Sequence, residues 1–307
     1  MAAAAWHYAL VTLLAHMSDV HLAPLPPVRW SELANKRLLG YLNWRLRRQS
    51  RLSGRGLHTL VQHLKEQSPD FIAVTGDLVN LGLEAEADIA WNWLETLGRP
   101  EEVCVSPGNH DSYVPQSFIW NNLRWGDYMR GETVDAAQFP FVRRIADVAV
   151  ISCSSSVPSG PGFAIGRFEP DQAERLGRIL RLTGDAGYFR VVLIHHPPNL
   201  ELRSARLGLR GAKLFRDQVA EHGAEMILHG HTHKSSIFAI PGPQGDVPVI
   251  GVAAAGAAQS DNAVEDPARY NLFRIERHGT SWSCTMREFG FQRLGTDIVL
   301  RLSARIY

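Results

Sequence analysis

The sequence predicts an α/β fold, and three features of the chain support this assignment. Short apolar runs rich in β-branched residues alternate with longer segments of helical periodicity. Polar residues that can bind metals come directly after several of these runs. After residue 233 the pattern changes to short strands with no helix between them. We therefore expect alternating strands and helices first, and antiparallel strands at the end.

The predicted elements can be taken in chain order. In the first part, strands are expected at 8–15, 71–75, 102–105, 148–152, 189–194 and 225–228, and helices at 57–67, 83–97, 171–182 and 212–222. Later strands are expected at 237–240, 247–253, 270–276 and 282–288, with a hairpin turn at residues 278–279. We interpret 1–307 as a single domain that carries a basic amphipathic insert at 24–55 and a C-terminal β-meander at 235–307.

Length, charge and cysteine content exclude several classes of protein. The 307 residues include 32 Lys and Arg against 31 Asp and Glu, which gives a net charge of +1. With 45% hydrophobic and 21% charged residues, the chain is neither disordered, collagenous nor a coiled coil. A net charge near zero gives no reason to expect a nucleic-acid partner. The three cysteines are too few for a disulfide framework, which favours a reducing compartment.

The amino-terminal residues are apolar but lack the other features of a signal peptide. No basic region precedes them, and they continue into Asp19 and His21 without room for a cleavage site. A run of about 18 apolar residues, which a membrane span needs, does not occur in the sequence. We therefore expect a buried first strand and a cytoplasmic protein.

The segment 24–55 differs from the rest of the chain in its charge. It has eight Lys and Arg against one acid, Glu32, and Leu38, Leu42 and Leu46 recur at helical spacing. It could be a solvated cover helix, or a lid or peripheral contact with the inner membrane face, because cations beside Trp and Leu favour anionic headgroups. It could also recognise an anionic substrate. The candidate contact residues are Arg37, Trp44, Arg45 and Arg48.

Five clusters of metal-competent residues follow predicted strands, and seven of the 13 histidines lie in or beside them. In α/β sheets, ligands bind at the carboxyl ends of strands. Imidazole together with carboxylate suits Zn, Mn, Fe or Ni, and the absence of thiolates argues against a structural zinc site. The clusters are Asp19-Val20-His21, Gly76-Asp77, Gly108-Asn109-His110-Asp111, His195-His196 and Gly230-His231-Thr232-His233.

These clusters, in this order across about residues 8–240, resemble the calcineurin-like metallophosphoesterase family. The resemblance implies a four-layer α/β/β/α sandwich of the metallo-dependent phosphatase type. It also implies two divalent or trivalent transition metal ions (Mn, Fe or Zn) at one edge. The ligands implied for one metal are Asp19, His21, Asp77 and His233. Those implied for the other are Asp77, Asn109, His195 and His231, with His196 as the alternative to His195.

The resemblance also implies roles for the remaining cluster residues. His110 would face the scissile phosphate and protonate the leaving oxygen, with Asp111 orienting its ring, while a metal-bound hydroxide attacks. His196 and His229 are candidates for supporting the ligands or contacting substrate, and His229 is equally explained as a buried, hydrogen-bonded histidine. Asn80 is expected to cap the following helix.

Sequence around the motifs narrows the expected substrate. Protein Ser/Thr phosphatases of this family carry Asp-Arg-Gly after the second cluster and Glu at the position of Asp111, and this chain has neither. We therefore expect hydrolysis of a phosphodiester or pyrophosphate bond in a small-molecule or lipid-linked substrate. The two similar branches are cyclic-nucleotide phosphodiesterases and the UDP-2,3-diacylglucosamine pyrophosphatases of lipid A synthesis. A catalytically silent metal-binding scaffold is the alternative from another class.

Overall fold

The computed structural model describes residues 11–49, 52, 54–199, 206–257, 266–291 and 297–307. The α-helices in these residues are α1 (Arg37–Asn43), α2 (Gly54–Glu66), α3 (Glu84–Leu97), α4 (Pro115–Trp125), α5 (Pro170–Asp185) and α6 (Ala212–His222). The strands of the first half are β1 (Val11–Met17), β2 (Phe71–Val74), β3 (Val103–Val105), β4 (Phe141–Ile145), β5 (Val148–Ser152) and β6 (Gly166–Arg167). The later strands are β7 (Phe189–Leu193), β8 (Leu209–Arg210), β9 (Met226–His229), β10 (Ser236–Gly242), β11 (Gly245–Gly251), β12 (Arg269–His278), β13 (Ser281–Phe291) and β14 (Ile298–Arg305).

Two six-stranded sheets form the centre of the molecule. The first has the order β14-β13-β12-β1-β2-β3, and the second has the order β10-β11-β9-β7-β5-β4. β1, β2 and β3 run parallel in the first sheet, as do β5, β7, β9 and β11 in the second. The loops after the parallel strands of each sheet therefore emerge together at one edge.

The two sheets pack face to face, and helices cover their outer faces. One apolar core lies between the sheets and continues under α2 and α3, while a second lies between the second sheet and α5 and α6. In β5, Val148 and Val150 belong to the first core and Ala149 and Ile151 to the second, so this strand is apolar on both faces. The predicted four-layer α/β/β/α sandwich is confirmed.

Most predicted elements are present with small changes at their ends. The predicted helix at 212–222 is α6, and the predicted strand at 148–152 is β5. The first strand begins at Val11, and residues 1–10 lie outside the described residues. Helix α4 and strand β4 were not predicted. Ser117 and Asn121 lie on the buried side of α4 and interrupt the apolar periodicity by which a helix is recognised.

The predicted C-terminal meander is wrong in one respect, because its strands are divided between the two sheets. β10 and β11 form a hairpin that joins β9 in the second sheet. β12, β13 and β14 are antiparallel and extend the first sheet from β1. The turn between β12 and β13 has Gly279 at φ +64°, which confirms the predicted hairpin. Strand patterns in the sequence identify strands but not their partners, which is why the division was missed.

The insert contains the predicted short helix, but its apolar stripe faces solvent. Leu38, Leu42 and Leu46 are 41%, 46% and 79% exposed. The inward face instead carries Arg37 and Trp44, which are 4% and 8% exposed. No helix of the described residues is both long enough and apolar enough to cross a membrane.

Two of the predicted contact residues in the insert therefore anchor it to the protein. Arg37 donates to the carbonyl oxygens of Leu81 and Gly82, at 2.9 and 2.5 Å, and its guanidinium lies over the ring of Trp120. Because both side chains are buried, the structure does not support contact of Arg37 and Trp44 with a membrane, and their contact with substrate stays a prediction. Arg45 is exposed, and the side chain of Arg48 lies outside the described residues.

Candidate metal centre

The metal-competent side chains lie on loops at the carboxyl ends of β1, β2, β3, β7 and β9, with left-handed backbone at many of them. In the described part of the chain seven non-glycine residues have positive φ, and five are predicted metal ligands. Such backbone is uncommon for these residue types and is found preferentially at functional sites. The five are Asp19 (φ 52°), His21 (42°), Asp77 (56°), His231 (69°) and His233 (56°).

Four of the predicted ligands form a first group. Oδ1 of Asp19 lies 3.2 Å from Nε2 of His233 and 4.0 Å from Nε2 of His21. Nε2 of His21 also lies 3.8 Å from Oδ2 of Asp77. One carboxylate oxygen from Asp19 and one from Asp77 thus face two imidazole nitrogens across a gap that a cation could fill.

A second group shares the same oxygen of Asp77. Its Oδ2 lies 3.4 Å from Nε2 of His195, and that nitrogen lies 3.3 Å from Oδ1 of Asn109. Oδ1 of Asn109 lies a further 3.0 Å from Nδ1 of His231. The side chain of Asp77 therefore stands between the two groups, as expected for a carboxylate that bridges two cations.

Backbone carbonyls determine which nitrogen of each ring faces this centre. Nδ1 of His21 lies 3.2 Å from the carbonyl oxygen of Val79, and Nδ1 of His195 lies 2.6 Å from that of Thr75. In His231 the two nitrogens exchange these roles. Nε2 lies 2.9 Å from the carbonyl oxygen of Leu207, and Nδ1 faces the centre. A carbonyl only accepts, so the ring nitrogen at each carbonyl carries the hydrogen and the other nitrogen directs a lone pair to the centre.

This donor set fits transition-metal ions. The lone pairs of His195 and His231 point at the oxygens of Asp77 and Asn109, which are acceptors as well. Acceptors that face one another without a shared proton or cation repel, so the arrangement is stable only with a positive charge between them. Imidazole nitrogens mixed with carboxylate and amide oxygens suit Mn, Fe or Zn.

The charges around His195 also favour a positive charge at the centre of the site. Burial acts to lower the pKa of His195, yet Asp77 and Asp19 outweigh it and raise this pKa to about 9. The carboxylates thus hold positive charge at this ring, and a proton and a metal ion compete for the lone pair of Nε2.

The choice between His195 and His196 follows from their contacts. Nδ1 of His196 pairs with the hydroxyl of Ser155 at 2.8 Å, and its ring lies 4.3 Å from the ring of His231. Burial, with the adjacent histidines, keeps the pKa of His196 well below its usual value. Only His195 faces both Asp77 and Asn109, so His195 is the better candidate ligand and His196 supports the ring of His231.

His229 turns away from the metal-competent groups. Its Nδ1 lies 2.9 Å from the carbonyl oxygen of Gly230, and its ring lies 5.7 Å from that of Phe238 on β10. Burial lowers the pKa of His229 to about 4. The structure supports the interpretation of His229 as a buried, hydrogen-bonded histidine.

Asp111 does not orient the ring of His110, contrary to prediction. Its carboxylate accepts hydrogen bonds from the backbone N–H groups of Asp77 and Gly108, both at 2.8 Å, and of Leu78 at 3.0 Å. Burial and the charge of Asp77 raise the pKa of Asp111 to about 7. Asp111 therefore holds the second and third clusters against each other.

The carbonyl oxygen of Asn80 takes the role predicted for Asp111. It lies 2.5 Å from Nδ1 of His110, whose ring meets the ring of His21 edge-on at 4.8 Å. The sequence predicted that Asn80 caps α3, and this prediction is wrong. Its side-chain amide donates to the carbonyl oxygen of Leu22, and its backbone N–H donates to the carboxylate of Glu86. A backbone carbonyl is available at every residue, so no sequence signal marks this contact.

The sequence did not single out Tyr113, which contacts His110, or Lys36, which packs on Tyr113. The ring of Tyr113 stacks on that of His110 at 5.5 Å and 28°, and Nζ of Lys36 lies 4.2 Å from the centroid of Tyr113. Tyr113 follows the third cluster by only two positions, which could have marked it. Lys36 lies among many basic residues of the insert, and no sequence signal sets it apart.

Two glycines allow the loops to approach the carboxylates. A Cβ at Gly108 would lie 2.7 Å from the backbone nitrogen of Asp77, and a Cβ at Gly230 would lie 2.5 Å from Oδ2 of Asp19. Both positions need glycine because no side chain fits there. Glycine at these two positions therefore allows the loops to pack closely enough to bring the predicted ligands together.

Comparison with known proteins identifies the family of this chain. The family model described as calcineurin-like phosphoesterase matches residues 12–235, and the chain belongs to this family. It is a metallophosphoesterase, a hydrolase that acts on phosphoric ester bonds.

Three relatives illustrate the similarity. A probable cyclic nucleotide phosphodiesterase of Synechococcus sp. is 26% identical over 223 residues, which are 72% of this chain and 77% of the relative. A dimetal phosphatase from Danio rerio superposes with a TM-score of 0.60 at 12% identity, over 94% of this chain and 98% of that one. A purple acid phosphatase from yellow lupin gives a TM-score of 0.54 at 11% identity, over 95% of this chain and 54% of that one. The two solved structures show the same fold.

Proposed function

We propose that this chain is a phosphodiesterase that hydrolyses a phosphodiester or pyrophosphate bond in a small or lipid-linked substrate. Two transition-metal ions would be held by the two groups of ligands, with Asp77 common to both. The observation that supports this proposal most directly is the convergence of the lone pairs of His195, His231 and Asn109 with Oδ2 of Asp77. The similarity to a probable cyclic nucleotide phosphodiesterase favours a diester substrate.

The bound cations would supply Lewis acidity at the phosphoryl oxygens and a nucleophilic water at neutral pH. The chain itself supplies the proton for the leaving oxygen. Because Asn80 accepts from Nδ1 of His110, a proton donated to the substrate must come from Nε2 of a charged imidazolium. The Asn80 carbonyl stabilises that imidazolium and fixes the direction in which Nε2 points.

Hydrolysis of bis-p-nitrophenyl phosphate with Mn²⁺ tests the proposal. We expect turnover with Mn²⁺ and none after chelation, and we expect Asp77→Asn to lose both turnover and bound metal by elemental analysis. Asp185→Asn is the matched control, since Asp185 is an exposed carboxylate on α5. A protein that binds metal and hydrolyses no phosphodiester would instead be the catalytically silent scaffold.

The outward apolar face of the insert favours a lipid-linked substrate as a second candidate. Leu39, Leu42 and Leu46 share one exposed face, and the exposed Arg45 lies beside them. Apolar side chains with adjacent cations are the composition that binds anionic bilayers. This face is compatible with peripheral contact at the surface of a membrane that carries the substrate.

Flotation with vesicles of phosphatidylethanolamine and phosphatidylglycerol tests this second candidate. The wild type should float with the vesicles, whereas a Leu39→Glu and Leu46→Glu double variant should stay at the bottom of the gradient. Leu182→Glu is the control, because Leu182 is an exposed leucine on helix α5, outside the insert. Equal recovery of all three proteins at the bottom would remove the membrane contact and leave the phosphodiesterase proposal intact.

A further inference from the structure

The insert places one ammonium group against the ring that stacks on His110. Nζ of Lys36 lies 4.2 Å from the ring centroid of Tyr113, and the ring of Tyr113 also stacks on that of His110 at 5.5 Å. His110 in turn meets His21, a predicted metal ligand, at 4.8 Å. These contacts connect Lys36 to His110 through the single ring of Tyr113, and His110, as the proposed proton donor, would mark the leaving-group side of the site.

Lys36 also connects two segments that flank the third cluster. Its Nζ donates to the carbonyl oxygen of Ser159 at 2.7 Å, which joins the insert to the segment around residue 159. The segment that carries Ser159 is held beside the third cluster through Ser156, whose hydroxyl donates at 2.8 Å to that of Ser112, the residue that follows the cluster. The ammonium group is thus held at the edge of the site by contacts on both sides.

In the described part of the chain, no carboxylate forms an ion pair with Lys36, and the charge that acts on it most is that of Arg37. Burial, together with Arg37, lowers the pKa of Lys36 to about 8. A half-buried cation without a counterion is unfavourable, and an anion that arrives with the substrate would relieve that cost.

We propose that Lys36 is a specificity-determining residue that binds an anionic group on the leaving-group side of the scissile phosphate. The preferred substrate would then carry a second negative charge next to the bond that is cleaved, as a pyrophosphate-linked nucleotide does. This inference rests on the proposed function, because it assigns the leaving group to the His110 side. The other interpretation, that Lys36 only packs on Tyr113, predicts no preference between substrates.

Comparing two substrates in three variants tests the proposal. Bis-p-nitrophenyl phosphate carries one negative charge, and ADP-ribose carries a second one on the adjacent phosphate. We expect Lys36→Gln to raise KM for ADP-ribose about 10-fold or more relative to KM for bis-p-nitrophenyl phosphate, which is the loss typical of a charged hydrogen bond. Lys36→Arg should retain the preference, and Lys213→Gln, at an exposed lysine of α6, should match the wild type.

A chemical measurement tests the same contact without turnover. Acetic anhydride labels lysine amines in proportion to their accessibility and neutral fraction, and mass spectrometry quantifies each site. Inorganic pyrophosphate should reduce labelling of Lys36 severalfold and leave labelling of Lys213 unchanged. This readout serves as the test if Lys36→Gln fails to fold, because it uses the wild-type protein.

The outcomes separate the two proposals. Failure of the wild type to cleave either substrate would overturn the proposed function, and protection of Lys36 by pyrophosphate would still support an anion site. Cleavage of bis-p-nitrophenyl phosphate but not of ADP-ribose would overturn the substrate class. Equal losses on both substrates in Lys36→Gln, or unprotected Lys36, would show that this residue is structural.

Discussion

The carbonyl oxygen of Asn80 lies 2.5 Å from Nδ1 of His110 and fixes which nitrogen of that ring carries a hydrogen. The loop that bears this carbonyl is itself held by Glu86, which accepts from the backbone N–H groups of Asn80 and Leu83 at 2.7 and 2.9 Å. Burial raises the pKa of Glu86. The orientation of His110 therefore depends on the backbone of the loop after Asp77.

His110→Ala should abolish most turnover without loss of metal. If Nε2 of His110 donates the proton to the leaving oxygen, kcat should fall by about 10²–10⁴. Steady-state kinetics and elemental analysis of the same preparation check this, with His278→Ala as the control at an exposed histidine of β12. An unchanged kcat would show that His110 has no role in proton transfer.

Asp111→Asn should destabilise the fold more than it changes the chemistry. The amide would turn an N–H₂ group towards backbone donors that now bond to carboxylate oxygens, so the free energy of unfolding should fall by about 2–3 kcal/mol. Unfolding in guanidinium chloride measures this loss against Asp185→Asn. A variant as stable as the wild type, with kcat reduced as in His110→Ala, would restore the predicted orienting role.

The sequence was sufficient to predict which polar clusters lie together but not the contacts that support them. The clusters that contain Asp77, Asn109 and His195 were identified because each follows an apolar strand, and parallel strands bring their ends together. The assignment of these three residues as metal ligands came from the resemblance to the family and stays a prediction. The carbonyls of Thr75, Val79 and Leu207, which fix the ring nitrogens, could not be predicted, because backbone groups are the same at every residue.

The insert shows a second limit of sequence reasoning. The spacing of Leu38, Leu42 and Leu46 predicted a helix, and a helix is present, but the face that packs inward carries Arg37 and Trp44. Periodicity gives the phase of a helix, whereas the face that is buried depends on the partner. Here the partners are the carbonyls of the loop at residues 81–82, which a guanidinium can satisfy and a leucine cannot.

The affinity for Mn²⁺ should fall as the solution becomes more acidic. In the absence of a cation, Asp77 and Asp19 raise the pKa of His195 to about 9 against the opposing effect of burial. Below that pH a proton must leave Nε2 before a metal binds, so affinity should drop about 10-fold per pH unit for each proton displaced. Calorimetric titration with Mn²⁺ between pH 6 and 8 checks this slope, and a pH-independent affinity would contradict it.

Selectivity for a substrate with a second negative charge should decline above about pH 8. Burial lowers the pKa of Lys36 to about 8, so its amine is charged below this pH and neutral above it. The charged group that acts on Lys36 is the guanidinium of Arg37, which stays protonated over this pH range. KM for ADP-ribose should therefore rise above pH 8 relative to KM for bis-p-nitrophenyl phosphate, and the ratio of the two KM values removes titrations common to both substrates.

In Lys36→Arg the guanidinium stays charged, so the ratio of the two KM values should be constant with pH. A ratio that changes equally in both proteins would assign the pH effect to another group.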